Sequence, residues 1–385
     1  MAQLTFDFDS PNTIFGLRKF YRYSKGSKPL CGFYDERTQN IAIYPKYDEA
    51  TIYPSGFIIV KRFNLYGIIN LVGKEILPLQ YSYMAVKDTN LIAIGKDGKY
   101  GLIDFNFKAI LDCKYDHLKL VEQGVITKLN GFYGFASYTG LTLLPNIYEV
   151  LETKGNYIYT TLNQKKGLAS FDGSIIFPNT FEDLSQVTET SFVATLNKKT
   201  GVIHVSSQQL LPFEYKKIVV SNNGYIAAIK SKKYAYFNNK GNRITEFRYS
   251  EVAKFSCGLA AVCVDGYWGY INEFGIEIIP HKYQAAEPFY NNFARVLLND
   301  KWGFIDKKGR TVIPHMYDLV MNFENDIAVT CTRGAYGIVT SNCRGMPPVF
   351  NSIPTIKDGI VYAIYKGEKF IVNPNTLPFL SLMED

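Results

Sequence analysis

Apolar and polar positions alternate along this chain in short runs bounded by turn residues, the pattern of half-buried strands and not of helical arcs. The segment from Trp302 to Met316, WGFIDKKGRTVIPHM, shows it most clearly. A short apolar stretch leads into a charged turn carrying Gly309, and a second β-branched stretch ends at Pro314. That is a hairpin pattern, with Gly supplying positive φ in the turn and Pro stopping the ladder. A variable stretch follows, then a third apolar segment such as Leu259 to Val264, LAAVCV, which passes through Asp265-Gly266 into the next copy. Each unit is expected to supply about three antiparallel strands. No window keeps an i, i+3, i+4, i+7 apolar pattern over a dozen residues, so helices are expected to be few and short.

The units repeat. An aromatic-Gly pair recurs at Tyr66-Gly67, Tyr100-Gly101, Tyr133-Gly134, Trp268-Gly269, Trp302-Gly303 and Tyr336-Gly337. Degenerate members stand at Cys31-Gly32, Lys166-Gly167, Thr200-Gly201, Tyr234-Ala235 and Lys369-Phe370, and successive second positions are 33 to 35 residues apart. About 14 residues after each Gly comes a register aromatic, among them Tyr47, Tyr81, Tyr215, Tyr249, Tyr283 and Tyr317, usually with Pro two or three residues before it. The Gly would let a neighbouring strand or ring approach the backbone, while the aromatic covers the bare site and packs on the next unit. One such unit cannot bury its own sheet face, so neighbours must stack. The fold class expected is therefore all-β: a tandem repeat of about eleven propeller-blade-like units in an open or spiralling stack, the alternative being one or two closed β-propellers. Residues 1–30 lie outside the period and read as an N-terminal cap or lead-in, and 31–385 as the array. No Pro/Gly/Ser-rich linker interrupts the register.

WGYINEFGIEIIPHKY, Trp268 to Tyr283, and WGFIDKKGRTVIPHMY, Trp302 to Tyr317, resemble the bacterial WG-repeat (KWG-repeat) family. The resemblance extends over nearly the whole chain after Leu30, strongly from Tyr66 to Tyr81 and Tyr100 to Tyr115, and weakly from Lys166 to Tyr249 where the aromatic or the Gly is lost. It implies a β-repeat interaction module without a shared catalytic activity.

Composition agrees with burying flat rings in strands, since Tyr 29 and Phe 27 make up most of a 15% aromatic content. The six cysteines, Cys31, Cys113, Cys257, Cys263, Cys331 and Cys343, form no C-x-x-C pair and have no neighbouring His at zinc spacing. They read as buried thiols in a reducing compartment. No run approaches about 18 apolar residues and the opening segment lacks the features of a secretion signal, so no membrane association and a cytoplasmic location are expected.

Sequence motifs for catalysis are missing: no G-x-S-x-G, Walker-type loop, H-E-x-x-H or G-x-G-x-x-G occurs. Asp104 and Asp306 recur at one repeat position and read as turn residues. His281 and His315 also share a step, either as a metal or pH site or as one edge residue copied twice. No enzyme activity, cofactor or metal is expected. Charge placement says more than the net +7. The turn before the aromatic-Gly position is basic in almost every unit, as at Lys99, Lys166, Lys199, Lys232, Lys233, Lys301 and Arg333, and the chain just after the register aromatic is often acidic, as at Asp48, Asp116, Glu149, Glu182 and Asp318. Two oppositely charged edges are the expectation, the basic one able to steer an acidic partner. Loops after the register aromatic vary most, and Phe289, Tyr290 and Phe293 form a candidate contact patch there. The function expected is a non-enzymatic scaffold that binds another protein through its loop face or charged edge, to sequester or inhibit it. The alternative is a polyanion or small-ligand module using the basic row, nucleic acid being the less favoured partner for want of Arg.

Overall fold

The computed structural model describes residues 7–8, 13–23, 28–87 and 90–379. These residues form eleven antiparallel sheets in tandem, nine four-stranded and two three-stranded, with one 3₁₀ turn at Pro374–Thr376. Every sheet is a meander paired in chain order with two open edges, and none closes into a barrel. We call its strands A to D: in the ninth sheet A is Ala285–Ala286, B Phe293–Leu298, C Lys301–Asp306 and D Thr311–Tyr317.

Strand A corrects the three-stranded unit expected from sequence. It forms from the residues directly after the register aromatic, as in His117–Val121, which pairs from His117↔Lys128 to Val121↔Gly124. With two to five residues it is too short to display a period of two. The lead-in is likewise part of a sheet, since Asp7–Phe8 and Leu17–Arg22 are strands A and B of the first one. Residues 1–6, 9–12 and 24–27 of that segment lie outside the described residues.

B and C join through a two-residue turn with both residues at positive φ in every sheet from the second to the eleventh, for example Phe63 and Asn64 or Asn299 and Asp300. This is the type I′ geometry whose twist matches a hairpin and which favours Asn, Asp and Gly. Where C meets D the register slips. In the ninth sheet Trp302 faces Tyr317 and Phe304 faces Ile313, so two steps on C span four on D. The bulged part of D, which holds Pro314, lies directly over Gly303, where an added Cβ would sit 2.6 Å from the Ile313 carbonyl oxygen. Strand D, not the preceding aromatic, thus covers the bare site, and Trp302 stays half-buried while Tyr317 is buried.

All nine four-stranded sheets carry Gly at this position, from Gly32 to Gly337. Of the two sheets without it, the seventh has no strand D. Ala235 takes the place in the seventh sheet, where only isolated bridges from Phe237 to Arg243 and Tyr234 to Tyr249 remain. Phe370 takes it in the eleventh, where the stretch that would hold strand D, 378–384, lies mostly outside the described residues and Phe379 bridges to Arg344. A methyl group where a carbonyl must pass closes the site to a strand.

The chain divides into two compact units, Met1–Thr180 and Phe181–Asp385, with the boundary at the end of a strand D and no linker. In the first, a hydrophobic cluster joins each sheet to the next, from the first to the fifth. In the second, clusters join the sixth through the eleventh in the same way. Each unit is a series of stacked sheets whose cores lie between neighbours, as open repeat arrays require. Most junctions are completed by one side chain from a loop. In the first unit it comes from the C–D turn, as Leu71, Phe105, Tyr138 and Phe171. In the second it comes from the A–B loop, as Phe255, Phe289 and Phe323.

Candidate functional site

Because the strands of a meander alternate in direction, each sheet has a turn end, with its B–C turn and the entry to strand A, and a loop end, with its A–B loop and C–D turn. The charged residues found in the sequence gather at the turn end. They do not form two edges. The acid after the register aromatic accepts hydrogen bonds from backbone N–H groups of the B–C turn in its own sheet. Asp48 Oδ2 takes the Phe63 N–H at 2.8 Å, Glu149 those of Asn163 and Gln164 at 3.0 and 3.1 Å, and Glu182 those of Asn197 and Lys198 at 3.2 and 3.0 Å. Asp116 and Asp318 also reach back to the preceding sheet, each taking a lysine ammonium, Lys99 or Lys301, at 2.5 Å. Their other oxygens accept the Gly131 and Arg333 N–H groups. The lysine first, and then the backbone N–H, hold both carboxyls below the usual carboxylate range. Acidic and basic rows therefore interlock, because the positive-φ turn leaves N–H groups that need an acceptor. The signal in the sequence is an acid a fixed 15 residues ahead of the turn.

Of the basic candidates, Lys99 and Lys301 are tied into these bridges and Lys166 is half-buried. Lys199, Lys232, Lys233 and Arg333 make no side-chain ion pair among the described residues, and the three lysines belong to the sixth and seventh sheets. At the loop end, Phe289 is buried with its ring 4.9 Å from that of Tyr270, and Phe293 is half-buried 5.0 Å from Phe323. The aromatic patch expected there is reduced to Tyr290, 48% exposed, because the junction between the eighth and ninth sheets takes Phe289 as its filling.

The C–D turns are capped by the last residue of strand C. Asn70, Asn238, Asn272 and Asp306 each accept the N–H groups two and four residues on, at 2.8 to 3.2 Å. Asp104 accepts that of Lys108. His204 does the same work with Nδ1, which accepts the Ser206 N–H at 3.1 Å. His281 and His315 sit over the bare glycines of successive sheets, and each stacks on the register Tyr of the sheet before, Tyr249 at 6.5 Å and Tyr283 at 6.1 Å. Phe213 packs on Phe181 at the same step, with its ring tilted by 31°. All six cysteines are free thiols; Cys257, in an A–B loop, is exposed and not buried as expected.

A family model described as a WG containing repeat matches residues 32–63, 66–100, 234–268, 268–302 and 302–336. The chain belongs to the WG-repeat family. In this WG-repeat protein the match stops at Tyr100 and resumes at Tyr234, yet the fourth to sixth sheets between them keep the same four-strand order. No curated protein matches the chain. Among solved structures it is similar to one described as a eukaryotic initiation factor, at 9% identity over 88% of this chain and 96% of that one, with a TM-score of 0.36. It is also similar to the extracellular domain of a putative one-component system from B. thetaiotaomicron, at 9% identity over 96% and 67%, with a TM-score of 0.25. At such scores these likenesses carry no argument about function. No helix among the described residues is long and apolar enough to cross a membrane.

Proposed function

We propose that this WG-repeat protein is a non-enzymatic interaction scaffold that binds another protein through the loop end of its sheets, in a bacterial cytoplasm, and sequesters or inhibits that partner. The observation that carries the reading is that the acidic row at the turn end is taken up by turn N–H groups and, at Asp116 and Asp318, by lysines as well. Carboxylates spent on turn N–H groups and lysines cannot also serve a partner, which leaves the loop end with variable backbone and exposed rings such as Phe274 and Tyr290. The second reading, a polyanion module, is favoured only by the unpaired Lys199, Lys232 and Lys233.

One comparison separates the two readings: affinity capture from nuclease-treated lysate at low and high salt, with the wild-type chain, a Phe274→Ser/Tyr290→Ser variant and a Lys199→Glu/Lys232→Glu/Lys233→Glu variant. The scaffold reading expects one protein kept at both salts, lost by the loop variant and kept by the charge variant. Salt-labile capture abolished by the charge variant alone would overturn it in favour of a polyanion.

A further inference from the structure

The junction between the sixth and seventh sheets packs Tyr215, Phe237 and Phe247 but takes no ring from the loop positions that fill most other junctions. In the seventh sheet the A–B loop places Ser221 where Phe255, Phe289 and Phe323 stand in the next three sheets, and its C–D turn places Asn239 where Phe105, Tyr138 and Phe171 stand in the third to fifth. Asn239 lines a cavity of about 630 Å³ at this junction, which opens at the loop end. That volume lies within the range of small-molecule sites.

Its walls are held by backbone contact. Gly241, at φ +83, brings the C–D turn of the seventh sheet against the sixth, where an added Cβ would lie 2.0 Å from the Leu210 carbonyl oxygen. Gly224, also at φ +83, seats the A–B loop 3.1 Å from Asn239 Cβ by the same measure. The floor is apolar, with Val202, Val220 and Ile226.

The rim supplies hydrogen-bond donors and a positive charge. Lys240 lines it with an ammonium that has no ion-pair partner among the described residues, and the amides of Gln208, Asn222 and Asn239 line it as well. His204 adds a defined donor: Nδ1 accepts the Ser206 N–H, so in the neutral ring the proton is on Nε2. No Asp or Glu lines the cavity. Glu273, which reaches its edge, is bound to the Asn223 amide at 2.8 Å.

We propose that this cavity is a binding site for a small anionic polyol, of the class of a sugar phosphate or a sugar acid, with the anion held by Lys240 and His204 Nε2 and the hydroxyls by the amide rim. It goes beyond the scaffold reading, uses none of the turn-end lysines and does not depend on any protein partner. The anionic group is the shared chemistry, and the test compares its two sources.

Calorimetric titration of the full chain with glucose 6-phosphate, glucuronate and glucose provides the test. The expectation is that one or both anions bind and that glucose binds at least about tenfold more weakly, the size of one lost charge-assisted contact. Asn239→Phe, which rebuilds the filling used in the fifth sheet, should abolish binding while keeping the melting temperature. His204→Asn should weaken binding while preserving the turn, since Asn caps the same turn in the second and eighth sheets. Should Asn239→Phe fold poorly, Lys240→Gln on the exposed rim stands in for it. The proposal is overturned if no anion binds, if glucose binds as well as the anions, or if binding survives these substitutions.

Discussion

A histidine copied twice in a repeat invites a chemical reading, and its surroundings give it a packing role. His315 lies over Gly303, stacks on Tyr283 and leaves Nε2 buried without a hydrogen-bond partner. Burial, and then the nearby Lys282 ammonium, push its pKa below the ordinary 6.5. The folded chain thus holds the ring neutral while the unfolded chain takes up a proton, so stability is full above about pH 6.5 and falls as the pH drops toward the lower folded value. Phe213 shows that a benzyl ring fits this step. His315→Phe should therefore flatten the loss of stability on mild acidification, as measured by denaturant midpoints across that pH window; an unchanged slope would remove His315 as its source. At this scale the sequence showed the repeat position and not the stack, because the partner Tyr283 belongs to the preceding sheet.

For a sheet, one hydrogen atom decides between three strands and four. The nine glycines after the aromatic position coincide with nine strands D, and Ala235 with the absence of one in the seventh sheet. Gly303→Ala would push a methyl group against the Ile313 carbonyl, at a cost of roughly 1–3 kcal/mol as for other overpacked sites. Hydrogen exchange should show Thr311–Tyr317 losing protection while strands B and C keep theirs. If strand D stays protected, close approach is not what the glycine is for. The sequence showed strands B, C and D through their apolar segments and the Gly, Pro and aromatic markers at set offsets. It missed strand A, whose pairing rests on the neighbouring strand's open edge and not on its own pattern.

Within each unit the sheets couple to their neighbours through separate clusters, so damage should stay local. Phe289→Ala would empty the junction between the eighth and ninth sheets at a cost of about 3–5 kcal/mol, the usual figure for truncating a buried Phe. Exchange rates should rise in those two sheets and hold steady in the eleventh. Uniform loosening of the unit from Phe181 onward would show instead that it unfolds as one body. The repeat number and the all-β class were legible from spacing, since a period of 33 to 35 residues with Gly and Pro at set offsets specifies one supersecondary unit many times over, and the family from the resemblance of Trp268 to Tyr283 and Trp302 to Tyr317. Spacing could not say what touches what across a junction. Only the stacked structure showed that acidic and basic residues 17 positions apart pair at Lys99–Asp116 and Lys301–Asp318, that Phe289 is filling and not contact surface, and that the junction of the sixth and seventh sheets holds a cavity. Local pattern determines the blade because a hairpin is closed by its own turn. The surfaces that remain for function depend on which side chains the neighbouring blade takes up, and that is decided in three dimensions.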